Sequence, residues 1–95
     1  MSAYVIVDIL VSDASAYAQY EALVSSTVNA YDGRYLAVGG QTETLEGEWR
    51  PKRLVILEFA NIARARQWLD SPEYKPAKAL RHMAARTNMV AVEGV

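Results

Sequence analysis

Apolar residues recur along the chain in two rhythms. Ala3–Val11, AYVIVDILV, is a β-branched run broken only by Asp8 and predicts a largely buried strand. Asp13 then offers an N-cap, and Tyr17, Tyr20, Val24 and Val28 follow at spacings of three and four, one face of a helix. Asp32-Gly33 signals a helix end and a turn, after which RYLAVGG reads as a second strand and RLVILEF, Arg53–Phe59, as a third. Asn61 can cap a short helix with Ile62, Ala65 and Leu69 in the core and Trp68 at its flank. Ser71 as N-cap with Pro72 at the first helical position restarts the chain, and Tyr74, Ala77, Leu80 and Ala84 continue an apolar seam. MVAVEGV closes as a fourth strand.

This order, βαββαβ with the second helix broken near Ser71, is the ferredoxin-like α+β arrangement, expected as one domain over residues 1–95. Right-handed crossovers place the helices on one face of a four-stranded antiparallel sheet, in the order four, one, three, two. The bare face must be buried, and the economical partner is a second copy, so a homodimer is expected. Alternation along the strands turns Val5, Val7, Ile9, Val55, Leu57 and Phe59 toward the helices. Tyr4, Ile6, Asp8, Leu10, Leu54, Ile56 and Glu58 fall on the bare face, with Arg34 able to reach Glu58. Two carboxylates and an arginine in apolar surroundings have two readings. Desolvation and mutual repulsion can raise one carboxyl pKa toward acid/base use while the arginine holds an anion, or the three form a structural ion pair at the dimer interface.

Composition removes several functions. The 95 residues are 52% apolar and 22% charged with a net charge of −1, a globular profile near the size at which one core suffices. The absence of cysteine excludes thiolate chemistry, disulfides and zinc–thiolate sites. No run approaches the roughly 20 apolar residues of a membrane span, and MSAYVIVDIL lacks a basic leader, so a cytoplasmic location and no membrane partner are expected. The basic half from Trp49 onward is balanced by the acidic half before it, and solvated helix faces account for it without nucleic acid. His82, the one histidine, has no second ligand at metal spacing, and Gly39-Gly40 lacks a phosphate-binding pattern, so neither metal nor nucleotide cofactor is expected. Four of the five glycines fall between positions 33 and 47. Gly33 would release the chain from the helix, Gly39 and Gly40 would end or bulge strand two, and Gly47 would return the hairpin.

GRYLAVGG, EGEWRPKR from Glu46 to Arg53, Glu58-Phe59, Ser71 and Tyr74 of SPEY, and Arg81 together resemble the bacterial domain-of-unknown-function family thirteen-thirty, of the dimeric α+β barrel superfamily. Asp32-Gly33 and Ala60 depart from its usual local pattern at two turns. The resemblance implies two sheets packed face to face and no settled reaction; superfamily relatives include cofactor-free monooxygenases, isomerases, lyases and haem proteins. In several relatives the pocket lies within each subunit, between helices and sheet, and here it would be walled by Tyr17, Tyr20, Trp68 and Tyr74 with strand two along one edge; the interior of the dimer barrel is the alternative place. Two functions follow. In the first, a small organic molecule, aromatic or acidic, is held by Tyr20, Tyr35, Trp49, Arg53, Trp68, Tyr74 and Arg81, with acid/base chemistry from Glu58, Asp8 and Arg34 or cofactor-free oxygenation. In the second, the protein is a non-catalytic structural module whose polar residues only stabilise the dimer.

Overall fold

In the computed structural model, which describes residues 1–95, the strands β1 (Ala3–Val11), β2 (Arg34–Val38), β3 (Arg53–Phe59) and β4 (Ala85–Glu93) form one antiparallel sheet in the order β2-β3-β1-β4. Helices α1 (Ala14–Ala30), α2 (Ile62–Leu69) and α3 (Lys75–Ala84) cover one face. The element order and sheet order match the sequence expectation. So does the parity of the central strands: Val5, Val7, Ile9, Val55, Leu57 and Phe59 are buried beneath the helices, while Tyr4, Ile6, Leu54, Ile56 and Glu58 are half-buried on the other face. No helix is long and apolar enough to cross a membrane.

Local chemistry sets the helix ends. The Asp13 carboxylate accepts from the Ala16 amide and the Asn61 side chain from the Arg64 amide, each satisfying a first-turn donor that the helix leaves unpaired. At the end of α1 the Gly33 amide donates to the Val28 carbonyl and the Asp32 amide to Asn29, a Schellman motif. The left-handed residue of that motif is Asp32, at φ 59°, not the glycine beside it. Gly33 is needed for space instead. A Cβ there would lie 2.6 Å from Phe59 Cε1 and 2.9 Å from Val28 Cγ1, both wholly buried.

Four expectations change on contact with the packing. Trp68 is not at the flank of α2 but at the centre of the core, with Phe59 and Tyr74 against its ring and its indole N–H donating to Thr27, while Ile62 is largely exposed. Ile62, Ala65 and Trp68 follow one another at spacings of three on one helical face, and burial falls on the two later residues, where the large ring gains most, leaving Ile62 in the first turn 40% exposed. Ser71 does accept from the Tyr74 amide, but Pro72–Tyr74 form a turn and α3 proper begins at Lys75. β4 starts at Ala85 directly after α3, four residues before MVAVEGV, because Ala85–Asn88 pair with Asp8–Val11. The bulge in β2 falls at Leu36 rather than at the glycine pair, which lies beyond the strand end. That extra residue reverses the alternation, so Tyr35 and Val38 both pair beside helix-facing residues, Leu57 and Val55.

Candidate functional site

Between α1 and the helix-covered side of the sheet lies a cavity of about 210 Å³, eleven of whose fourteen lining residues are hydrophobic. α1 contributes Tyr17, Tyr20, Glu21 and Val24, which share one helical stripe at spacings of three and four; β2 contributes Tyr35 and Val38, β3 contributes Arg53, and Trp68 closes the inner side. The β2 bulge is what brings Val38 to this wall. Gly39, left-handed at φ 61°, lets the Arg53 guanidinium lie where a side chain would otherwise sit: a Cβ at that position would fall 2.6 Å from Nη1.

Arg53 anchors the polar edge. Its Nη2 donates to Glu21 at 2.7 Å and its Nε to the Tyr17 hydroxyl at 3.3 Å, and its guanidinium lies 5.4 Å from the Tyr17 ring centroid. Burial pushes the phenols of Tyr17, Tyr20 and Tyr35 up from their ordinary value, against the lowering influence of Arg53 on Tyr17 and of a Ser25 hydrogen bond on Tyr35. All three therefore stay protonated at physiological pH. They can donate hydrogen bonds to a ligand but do not serve as bases; the one carboxylate at the cavity is Glu21, already paired.

The sequence-predicted residues divide between the two sides of the sheet. Tyr20, Tyr35, Arg53 and Trp68 line the cavity together with Tyr17. Tyr74 and Arg81 stand behind it, buried, with the Tyr20 and Tyr74 hydroxyls 3.0 Å apart and Arg81 Nε donating to Tyr74 at 3.2 Å. Glu58, Asp8, Arg34 and Trp49 belong to the bare face. Arg34 Nε meets Glu58 at 2.5 Å, and the Trp49 indole donates to Asp8 at 2.8 Å as the 39–52 connection folds back across the sheet. Asp8 and Glu58 share this face, but Asp8 pairs with Leu54 and Glu58 with Tyr4, four residues apart along β3, roughly 13 Å at strand rise. That spacing removes the expected mutual repulsion. Hydrogen bonds from Ser2 and Arg34 instead hold the Glu58 carboxyl below its ordinary value, the reverse of the raised pKa anticipated for an acid/base group. His82 is exposed at the end of α3, its pKa lowered by partial desolvation of the ring against the protein and by the neighbouring Arg81 and Lys78, and no cluster of metal-ligating side chains surrounds it.

Glu21 and Val38 were missed as cavity residues, and only one was legible. Glu21 sits four residues after Tyr17 on the apolar stripe, a position at which a carboxylate is conspicuous. Val38 reaches the cavity only through the bulge.

A four-stranded antiparallel sheet with both crossovers on one face and a small aromatic cavity beneath them defines a ferredoxin-like α+β protein. Within that class the chain belongs to the family described as Domain of unknown function (DUF1330), which matches residues 2–95. No curated protein matches the sequence. Among solved structures it is similar to RPA0582, a protein of unknown function from Rhodopseudomonas palustris, at 16% identity and a TM-score of 0.81, covering 99% of this chain and 82% of that one. It is also similar to a dimeric ferredoxin-like protein of unknown function from Jannaschia sp. CCS1 (13% identity, TM-score 0.74, 99% and 100% coverage). A third is SnoaB, a cofactor-independent oxygenase from Streptomyces nogalater (14% identity, TM-score 0.63, 99% and 93% coverage).

Proposed function

We propose that the protein is a cytoplasmic homodimer that binds a small, single-ring organic molecule in the cavity of each subunit. The observation that carries this reading is the meeting of three protonated phenols and the Arg53 guanidinium in an otherwise apolar hollow. A minimal core would fill that space. At about 210 Å³ the cavity is below the roughly 300–1,000 Å³ of drug-sized sites, which points to one ring rather than a polycyclic ligand. The dimer is supported by the half-buried apolar residues Ile6, Leu54 and Ile56 and the exposed Leu10, Val90 and Val92 on the uncovered sheet face, and by the dimeric Jannaschia structure. SnoaB's activity makes cofactor-independent oxygenation of an electron-rich ring the first reaction to assay.

The test is binding by thermal shift and by chemical-shift perturbation, with phenol, benzoate and toluene as probes. At least one should bind with shifts confined to α1, β2 and β3, and Val38→Trp, which fills the cavity, should abolish them. If none binds at millimolar concentration, the ligand reading is wrong. A non-catalytic module then remains, favoured by the Arg34–Glu58 and Trp49–Asp8 contacts, which engage the bare-face candidates with one another on the side away from the cavity.

A further inference from the structure

Arg81 is a buried cation without an anion. It is 4% exposed, yet the three ion pairs of the molecule, Arg34–Glu58, Arg53–Glu21 and Arg64–Asp32, do not include it. Its donors go to neutral acceptors: Nε to the Tyr74 hydroxyl, Nη1 to Thr87 Oγ1, and Nη2 toward His82 Nε2 at 3.4 Å. Removing a guanidinium from water without a counter-charge is costly, and residues that only pack do not require it.

The directions of the hydrogen bonds beyond Arg81 follow from what each group can do and from where a ligand can reach. A guanidinium only donates, so the Tyr74 oxygen accepts from it. Tyr74 is wholly buried, and its hydroxyl has one other neighbour, the hydroxyl of Tyr20. Either hydroxyl can donate in that pair: with Tyr20 as donor the free proton is left on the wholly buried Tyr74, whereas with Tyr74 as donor it belongs to Tyr20, beside the cavity, where a ligand can accept it. A bound acceptor selects the second direction. The Tyr20 proton is then free to turn away from Tyr74, and Tyr20 is the member of the chain that lines the cavity. Burial keeps that phenol protonated. Each bond in the series polarises the next, so positive charge on Arg81 is expressed at the cavity wall as a strengthened O–H donor.

We infer that the Arg81–Tyr74–Tyr20 series is an oxyanion-recognition relay, and that the ligand class is a single ring bearing an anionic oxygen, carboxylate or phenolate, bound by Tyr20. Tyr20 is the contact residue; Tyr74 and Arg81 are positioning residues that act through it. This rests on the cavity being a ligand site.

The experiment compares affinities of charged probes with neutral isosteres of the same shape: benzoate against benzamide, and 4-nitrophenolate against 4-nitroaniline. Binding is followed by calorimetry or NMR titration in the wild type, Tyr20→Phe and Tyr74→Phe. The wild type should favour the oxyanion by roughly tenfold or more, as a charge-assisted hydrogen bond does. Tyr20→Phe should remove most of that preference. Tyr74→Phe, which changes nothing that lines the cavity, should reduce it by a smaller factor while leaving the neutral isosteres bound as before, a pattern that loss of packing does not produce. The two probe pairs tell carboxylate from phenolate. If the wild type binds both members of each pair equally, the relay is refuted and the ligand cavity stands. If a preference survives both variants unchanged, Arg53 is its source and the relay is again refuted. If no ring binds, the cavity reading itself has failed.

Discussion

Gly33→Ala isolates a packing demand that turn chemistry would misattribute. The added methyl would lie 2.6 and 2.8 Å from Phe59 Cε1 and Cζ and 2.9 Å from Val28 Cγ1. None of these can withdraw easily: Val28 and Phe59 are 0% and 1% exposed, and the Phe59 ring stacks at 5.4 Å on Trp68. Overpacking of this kind costs about 1–3 kcal/mol, and restricting the unfolded chain returns about 0.4–1 kcal/mol. The net loss is centred near about 1.3 kcal/mol within a span of about 0–2.6 kcal/mol, a fall of about 5–10 °C in Tm at the centre for a domain of this size. Asp32→Gly is the matched control. It relieves a left-handed aspartate at φ 59° and forfeits an exposed ion pair with Arg64 worth about 0–1 kcal/mol, so it should leave stability within about 0.5 kcal/mol of wild type. Both are read from urea unfolding at one fixed protein concentration, since dimerisation adds to apparent stability. A Gly33→Ala protein as stable as the wild type would show that the α1–β2 junction is loose and the steric argument wrong.

Three further outcomes are expected. Ile6→Glu places a charge at the centre of the uncovered sheet face and should convert the dimer to monomer in sedimentation at micromolar concentration; a wild type that is already monomeric removes the interface. Because the folded-state pKa of Glu58 is depressed, its stabilising contribution is present above its ordinary value of 4.5 and is lost as pH falls through the lower folded value. Wild type should therefore lose more stability than Glu58→Gln on acidification below that point, and parallel acid limbs would contradict it. Gly39→Ala forces a left-handed alanine into the space of the Arg53 guanidinium, so it should cost about 1 kcal/mol or more and weaken probe binding, whereas Gly47→Ala, strained at φ 87° but in open space, should cost stability alone.

The strands were legible because β-branched residues alternate with a period of two, and the register Arg34↔Glu58 followed from where β3 ends and β2 begins. The same parity bears on Arg53, which shares the odd positions of Val55, Leu57 and Phe59 and so lies under the helices, apart from Arg34 and Glu58. Other features were not written locally. The first residues of β4 include the polar Arg86 and Asn88, which carry no apolar rhythm and become strand only by pairing with β1. The bulge at Leu36 has no glycine to announce it. The Tyr20–Tyr74 contact spans 54 residues and exists only because α1 packs on α3, so no window along the chain could reveal it.

The junction between α3 and β4 has a kinetic meaning. The Ala84 carbonyl accepts the amides of Ser12 and Asp13, at 2.7 and 3.0 Å, and the Ser12 hydroxyl at 3.1 Å, across 72 residues of chain. Ser12 and Asp13 are exposed, and amides at such a turn would ordinarily exchange with solvent quickly. Here they are released when the α3–β4 junction leaves β1, an opening at the edge strand of the sheet. Their deuterium uptake should thus be slower than their exposure alone predicts, making two surface residues reporters of that edge opening.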